Sequence, residues 1–271
     1  MNPDPLPAPP LEVAALTDVG TERDHNEDAC GTLQEADATL AVVADGVSSS
    51  PGGEVASQMA IEVLLRAYRE EPGTRPAGQR LHRAVQQANI EVYDRAIAVP
   101  ELHGMATTLT ALVVQAGVLT AVHVGDSRLY LVRGSAVVQL TKDHTVAAER
   151  VRLGVLSAEK ARTHPDRSTL TRSLGRELIV NRDRLSQALQ RNDVLVACSD
   201  GLHNVLADDE IGELAAGAVD AGTACRALLE AANRRGTADN LTAAVVRVLG
   251  AVSEPPPRPG LTVRLLRLFR G

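Results

Sequence analysis

Residues 107–141 read TTLTALVVQAGVLTAVHVGDSRLYLVRGSAVVQLT, and this stretch decides the class of fold. It holds four short runs rich in Val, Leu and Thr, and each run is typical of a β-strand. Very few turn-forming residues join one run to the next, and connections this short allow only antiparallel pairing. The stretch therefore predicts an antiparallel meander.

The elements outside this stretch come in blocks. Strands and helices precede it, residues 143–190 are polar and irregular with short helical pieces, and a strand, two helices and a last strand follow. The predicted ranges are 11–17 and 39–44 (strands), 53–70 and 80–98 (helices), 193–199 (strand), 208–217 and 223–236 (helices) and 241–249 (strand). Blocks rather than strict alternation favour antiparallel α+β layers over a doubly wound parallel sheet.

One folded domain is expected, over residues 11–249 of the 271. Segments rich in proline flank it: a flexible leader over 1–10 and a linker over 250–260. The final segment, 261–271, reads LTVRLLRLFRG and predicts a short basic amphipathic helix. Such a tail would contact an acidic membrane surface or dock on a partner, and a frayed end without a role is the alternative.

Composition argues against several classes of protein. A net charge of −6, a pI near 5.7 and the lack of a basic cluster in the body argue against nucleic-acid binding. Three widely spaced cysteines without a Cys-x-x-Cys pair indicate neither a disulfide framework nor a zinc site, and they fit a reducing cytoplasm. The uncharged stretch 104–125 breaks at Ala116-Gly117, so it predicts a hairpin rather than a membrane span.

Two predicted strands end on the same dipeptide, Asp45-Gly46 and Asp200-Gly201, and Asp239 precedes the last strand. Taken singly, each aspartate fits a residue that caps a turn. Together, carboxylates at the ends of buried strands need a counter-charge, and no Lys or Arg adjoins Asp45 or Asp200 in the sequence. Oxygen donors alone predict a hard ion, Mg²⁺ or Mn²⁺.

Two such ions sharing a carboxylate would make a bridging water nucleophilic near neutral pH. Upstream, DVGTERDHNEDA places Arg23, Glu27 and Asp28 just after the first predicted strand. Arginine binds phosphate oxygens in a bidentate manner, and Glu27 is another hard ligand. The sequence therefore predicts a phosphate ester as the substrate.

These blocks, in this order, resemble the bacterial metal-dependent serine/threonine protein phosphatases of type 2C, the PPM family. The resemblance runs through the whole body of the chain: DVGTERDHNEDA, VVADGVSSSPGGEVAS, GMATTLTALVV, HVGDSRLYLVR, LTKDHT, HPDRSTLTRSLG, VACSDGLHNVLADDEI and ADNLTAAVVRV. A single Asp-Gly would be weak evidence, whereas so many ordered blocks are strong. The resemblance implies a four-layer α-β-β-α sandwich, in which two antiparallel sheets pack face to face between helices.

The resemblance also implies roles for the acidic residues. Asp45 would bridge two Mg²⁺ or Mn²⁺ ions and would act in catalysis together with Asp200 and Asp239, which complete the shell of one ion. The carbonyl of Gly46 and the carboxylate of Glu27 would serve the other ion, partly through water.

Other positions take supporting roles by the same resemblance. Arg23 would hold the phosphate of the substrate, and Asp28 and Asn240 would orient water and ligands by hydrogen bonds. Asp126 matches an aspartate that bacterial members use, with Asp200, for a weaker third ion. On the sequence alone, a turn residue between two strands is an equally good interpretation of Asp126.

The implied reaction is direct hydrolysis of phosphoserine or phosphothreonine in proteins, by water activated by two metals and without a phosphoenzyme. A Ser/Thr kinase or its substrates would be the partners. Val47 follows the first Asp-Gly, where many members have Met or His, and it cannot donate a proton; metal-bound water or another histidine would have to do so. Two alternatives stay open: a catalytically weak regulatory module with this fold, and a hydrolase of small phosphate esters.

Overall fold

The structure, a computed structural model, describes residues 11–250, which form two five-stranded antiparallel sheets. The predicted leader (1–10), the linker from residue 251 onward and the basic tail (261–271) lie outside the described residues. The first sheet has the strand order β1 (Leu11–Asp18), β10 (Leu241–Val248), β9 (Val194–Cys198), β6 (Arg128–Arg133), β7 (Ala136–Gln139). The second has the order β2 (Asp28–Gln34), β3 (Ala38–Asp45), β4 (Leu109–Gln115), β5 (Val118–Val124), β8 (Asp183–Ala188).

Helices cover the outer face of each sheet. Two long helices, α1 (Gly53–Glu70) and α2 (Ala77–Ala98), pack on the second sheet. Three others, α5 (Asp200–His203), α6 (Asp208–Gly217) and α7 (Ala221–Arg234), pack on the first. The segment between β7 and β8 carries the short helices α3 (Val146–Arg152) and α4 (Ala158–Ala161). The predicted four-layer α-β-β-α sandwich is confirmed.

Both faces of the central strands are buried, and β3 shows why its sequence is apolar throughout. Val42 and Ala44 point into the layer shared with α1 and α2, whereas Ala41 and Val43 point into the layer between the two sheets. A strand that is buried on both faces needs a continuous apolar run rather than an alternating one. The polar residue that ends this run, Asp45, therefore lies at the edge of the core.

The predicted meander is wrong at one point. Strands β4 and β5 pair in the second sheet, but β6 and β7 belong to the first, so the chain crosses between the sheets after Val124. Gly125 makes this crossing with φ +107°, and a Cβ there would lie 2.5 Å from Cβ of Thr108. A short glycine-containing connection looks the same in sequence whether it turns within one sheet or passes to another.

Two strands were not predicted. β2 (DACGTLQ) and β8 (DRLSQA) are polar strands at opposite edges of the second sheet. Their strand conformation comes from pairing with the apolar β3 and β5 rather than from their own propensity. Helix α2 also begins three residues earlier than predicted, directly after Pro76. None of the helices described in residues 11–250 combines the length and the apolar character needed to cross a bilayer.

Candidate metal centre

The two Asp-Gly dipeptides come from different sheets and meet at one end of the sandwich. Asp45 is the last residue of β3 in the second sheet. Asp200 does not end a strand as predicted but begins α5, two residues after β9 of the first sheet. The carboxylate of Asp200 adds to the burial that raises the pKa of Asp45, so the two carboxyl groups act on each other. The sandwich therefore brings together two carboxyl groups that are 155 positions apart.

The backbone of Asp45 is held by two buried threonines. Its N–H donates to Oγ1 of Thr108 (3.0 Å), and its carbonyl accepts from the N–H of Thr108 (2.8 Å) and from Oγ1 of Thr107 (2.9 Å). These bonds use the main chain and leave the carboxylate free to bind a ligand. The sequence signal for this clamp is the Thr-Thr pair directly before β4.

Both glycines are required because backbone approaches them closely. A Cβ at Gly46 would lie 2.3 Å from the carbonyl oxygen of Gly53 and 2.7 Å from that of Glu27. A Cβ at Gly201 would lie 2.1 Å from the carbonyl oxygen of Asn240. Within residues 11–250, the carbonyl of Gly46 accepts no hydrogen bond, so it stays available for an ion.

Asn240 fixes the loop between β1 and β2. Its side-chain amide donates to the carbonyls of Val19 (2.8 Å) and His25 (2.9 Å), and its Oδ1 accepts from the N–H of Glu27 (2.8 Å). The three bonds use the side chain on both its donor and acceptor sides. Asn240 therefore acts on the centre by holding the loop that carries Glu27.

That loop also brings Arg23 to the centre. One terminal nitrogen of Arg23 lies 3.0 Å from Oδ1 of Asp239, and its Nε donates to the carbonyl of Ala238 (3.1 Å). The guanidinium and the Asp239 carboxylate are each 37% exposed, so both are open to a ligand from solvent. Glu27 lies on the other side, where its Oε1 would be 2.6 Å from a Cβ at Gly53, the first residue of α1.

Asp28, on β2 of the second sheet, is linked by hydrogen bonds to the first sheet. It stands opposite Asp45 in the pairing of β2 with β3, and its Oδ2 accepts from the hydroxyl of Ser199 (2.7 Å). Ser199 in turn accepts from the N–H of Thr242 on β10 (3.0 Å). Burial, with smaller contributions from Asp200 and other carboxylates, raises the pKa of Asp28 to about 7. Ser199 was not singled out from the sequence.

Asp45, Asp126 and Asp200 are also destabilised as anions. Burial is the main cause in each case, and neighbouring carboxylates add to it. It raises the pKa of Asp200 to about 6, and it raises the pKa of Asp45 and of Asp126 well above the ordinary value. Among the described residues, the Arg23–Asp239 ion pair is the one salt bridge made to this group. The group therefore lacks positive charge.

Asp126 lies at the crossing between the sheets rather than in an exposed turn. Its side chain is buried, with 7% of the residue exposed, and its carbonyl accepts from Nε2 of His203 (3.0 Å). Burial is the main cause of its raised pKa, and the carboxylate of Asp200 is the next largest. The structure thus places Asp126 on the Asp200 side of the group.

The donors fit a hard divalent ion. All are oxygens: buried carboxylates without enough counter-charge and a carbonyl without a donor. Within residues 11–250, no three His, Cys, Asp or Glu side chains could hold an ion by themselves. Ions such as Mg²⁺ keep several waters and take few protein carboxylates, so a carbonyl and water would complete each shell.

The comparisons with known proteins point to one family and agree with the fold. The family model described as protein phosphatase 2C matches residues 21–248. The chain is 35% identical to the serine/threonine phosphatase stp of Listeria monocytogenes over 234 residues, which is 85% of this chain and 93% of that protein. The crystal structure of the serine/threonine phosphatase Stp1 from Staphylococcus aureus superposes with a TM-score of 0.84 at 29% identity, covering 92% of this chain and 100% of that one.

A further solved structure is the catalytic domain of the serine threonine protein phosphatase PstP in complex with two manganese ions. It superposes with a TM-score of 0.76 at 33% identity, covering 88% of this chain and 98% of that one. The chain therefore belongs to the protein phosphatase 2C family. The resemblance inferred from the sequence is confirmed, and with it the expected enzyme class, serine/threonine protein phosphatase.

Proposed function

We propose that this protein hydrolyses phosphoserine and phosphothreonine in proteins, with two Mg²⁺ or Mn²⁺ ions bound at the centre around Asp45 and Asp200. The observation that carries the proposal is the convergence of buried, charge-deficient carboxyl groups from both sheets beside an exposed arginine. The two manganese ions in the related PstP structure support the choice of metal.

Each residue of the centre has a distinct proposed role. Asp45 would bridge the ions, Asp200 and Asp239 would complete one shell, and the Gly46 carbonyl and Glu27 would serve the other. Bound there, the ions would supply Lewis acidity and a water of lowered pKa. Asp126 would join Asp200 in holding a third, weaker ion.

Arg23 is the proposed phosphate anchor. Its guanidinium is held at the exposed edge of the centre by Asp239 and the Ala238 carbonyl. A phosphate in front of it would receive donors in the fork geometry that arginine offers to such oxygens. Asp28 and Asn240 would hold the centre in shape, through Ser199 and through the loop before β2.

A covalent cysteine route has no support here. Burial raises the pKa of Cys30 to about 11 and the pKa values of Cys198 and Cys225 to about 12. A thiol attacks as the thiolate, which these groups do not form near neutral pH. Direct attack by water, without a phosphoenzyme, is therefore the proposed reaction. The three thiols are free, which fits a reducing cytoplasm. Substrates of a Ser/Thr kinase, or the kinase itself, are the proposed partners there.

The test is hydrolysis of a phosphothreonine peptide by the full chain with Mn²⁺, with Mg²⁺ and with chelator. Asp45→Asn and Asp200→Asn should each lower kcat/KM by at least about 100-fold, because an amide supplies no negative charge to an ion. Asp94→Asn, an exposed aspartate on α2, is the matched control and should retain the wild-type rate.

Activity that survives chelation, or wild-type rates in Asp45→Asn, would overturn the two-metal proposal. A catalytically weak regulatory module would show no metal-dependent turnover of the peptide. A hydrolase of small esters would cleave p-nitrophenyl phosphate with Mn²⁺ but leave the phosphothreonine peptide intact.

A further inference from the structure

A cavity of about 650 Å³ opens on the outer face of the second sheet, beside the first turns of α2. Its floor comes from the neighbouring strands β4 and β5, which contribute three valines, Val113, Val118 and Val122, together with Gln115 and Thr120. Its walls are His82 of α2 and Arg184 of β8. None of these residues belongs to the metal centre, which lies at the end of the sandwich rather than on its helix-covered face.

Two arginines crowd the imidazole of His82: Arg184, which lines the cavity, and Arg182, which contacts His82 but is not itself a lining residue. Nε of Arg182 lies 3.1 Å from Nδ1 of His82, and its terminal Nη2 lies 2.7 Å from Nε2. The guanidinium of Arg184 contacts the same Nε2. Burial and the two arginines lower the pKa of His82 to about 4, so the ring is neutral near pH 7. A neutral imidazole has one acceptor nitrogen and cannot satisfy two guanidinium groups. Arg182 also donates to Oε1 of Gln86, whereas the guanidinium of Arg184 makes no other hydrogen bond within residues 11–250.

The positive charge at this wall has no carboxylate partner. Within residues 11–250, neither Arg182 nor Arg184 takes part in a salt bridge. Arg83, also at the cavity, is already paired with Glu71 (3.3 Å). Two neighbouring guanidinium groups repel each other, and burial adds to the cost, as the lowered pKa of Arg182 indicates. An anion from outside the chain would relieve both effects.

We propose that this cavity binds a small organic phosphate or phosphonate, with its anionic group on Arg184 at the wall, beside the adjoining Arg182, and its apolar body on the valines of the floor. Guanidinium groups match the oxygens of such anions with paired hydrogen bonds. The volume lies in the range of sites that bury small organic ligands, and an apolar floor with a few convergent polar groups is the usual composition of such sites.

Phenylphosphonate is the probe, because it joins an anionic head to an apolar ring and has no ester bond to hydrolyse. Its binding to the full chain is measured by calorimetry in chelator, so that no ion at the metal centre contributes. We expect saturable binding with one site. The variant Arg182→Gln/Arg184→Gln should bind at least about tenfold more weakly, because two charge-assisted contacts are lost.

Two controls keep the result specific. Arg234→Gln removes an arginine of α7 that is 68% exposed, and it should bind like the wild type. Arg184→Gln alone changes an exposed side chain and leaves the packing of Arg182 in place, so it should fold and bind several-fold more weakly than the wild type. All three variants should keep the wild-type rate of peptide hydrolysis with Mn²⁺.

Inorganic phosphate tests the role of the valine floor, and it should bind more weakly than phenylphosphonate. The proposal is overturned if phenylphosphonate does not bind in chelator, or if Arg184→Gln and the double variant bind it as the wild type does. Equal affinity for inorganic phosphate and phenylphosphonate would overturn the assignment of an organic ligand. These outcomes do not depend on catalysis, so they leave the proposed phosphatase reaction untouched.

Discussion

Gly201→Ala should disrupt the metal centre by steric overlap alone. The new Cβ would lie 2.1 Å from the carbonyl oxygen of Asn240 and 3.2 Å from Cβ of Asp239, whereas ordinary contact begins at 3.4 Å. The contact atom is backbone, so no side chain can rotate away, and the loop carrying Asp239 must move relative to Asp200 by about 1 Å. Overpacking of this kind should lower the free energy of unfolding by about 3 kcal/mol, which is the upper end of the usual cost.

For a domain of this size, that cost corresponds to a fall in Tm of about 6–12 °C. Displacing catalytic groups by about 1 Å can lower the rate about 100-fold, so kcat/KM should fall by that order. Thermal melts followed by circular dichroism, and Mn²⁺-dependent hydrolysis of a phosphothreonine peptide, measure the two effects. Gly217→Ala is the matched control, because a Cβ at that position meets nothing within 4 Å. Wild-type Tm and activity in Gly201→Ala would refute the reasoning.

Substitutions of Arg23, Asn240 and His123 separate binding, positioning and stability. Arg23→Ala should raise KM about 10- to 100-fold for the lost phosphate contact, yet barely change Tm, because its ion pair with Asp239 is exposed; an unchanged KM would contradict this. Asn240→Ala removes three hydrogen bonds and should lower the free energy of unfolding by about 2–3 kcal/mol and the Mn²⁺ affinity at least about tenfold. An Mn²⁺ titration that matches the wild type would contradict this. Burial lowers the pKa of His123 from 6.5 to about 4, so its neutral form stabilises the fold above pH 6.5 and this contribution is lost as the pH falls towards 4. Between pH 7 and pH 4.5, the free energy of unfolding measured in urea should fall by about 2–3 kcal/mol more in the wild type than in His123→Gln. A difference between the two proteins that does not change with pH would count against this.

The structure confirms the long, strongly patterned elements. The predicted helix over 53–70 is α1 with the same bounds, and the predicted helix over 208–217 is α6. Strands that are buried on both faces, such as β3, were recognisable because burial demands an unbroken apolar run. The edge strands β2 and β8 escaped notice because their strand conformation depends on the neighbour with which they pair.

Some residues of the metal centre could be recognised from the sequence, and others only from the structure. The aspartates were recognisable because a charged residue at the end of an apolar run is conspicuous and two of them precede glycine. The Thr107–Thr108 clamp and Ser199 were not recognised, since their hydroxyls act through hydrogen bonds to residues that are distant in sequence. The arginine pair beside His82 was missed for the same reason, because 100 residues separate His82 from Arg182.

By itself, the sequence determined the family, the α+β class and the candidate acidic residues, because these depend on local periodicity and on ordered motifs. The tertiary structure decided the rest. It showed that the chain crosses between sheets at Gly125, and that glycine follows Asp45 and Asp200 because backbone carbonyls of distant segments occupy the space of a Cβ. It also showed that carboxyl groups from both sheets are buried together with too little positive charge. Such facts depend on which distant segments touch, and the local pattern of residues does not contain that information.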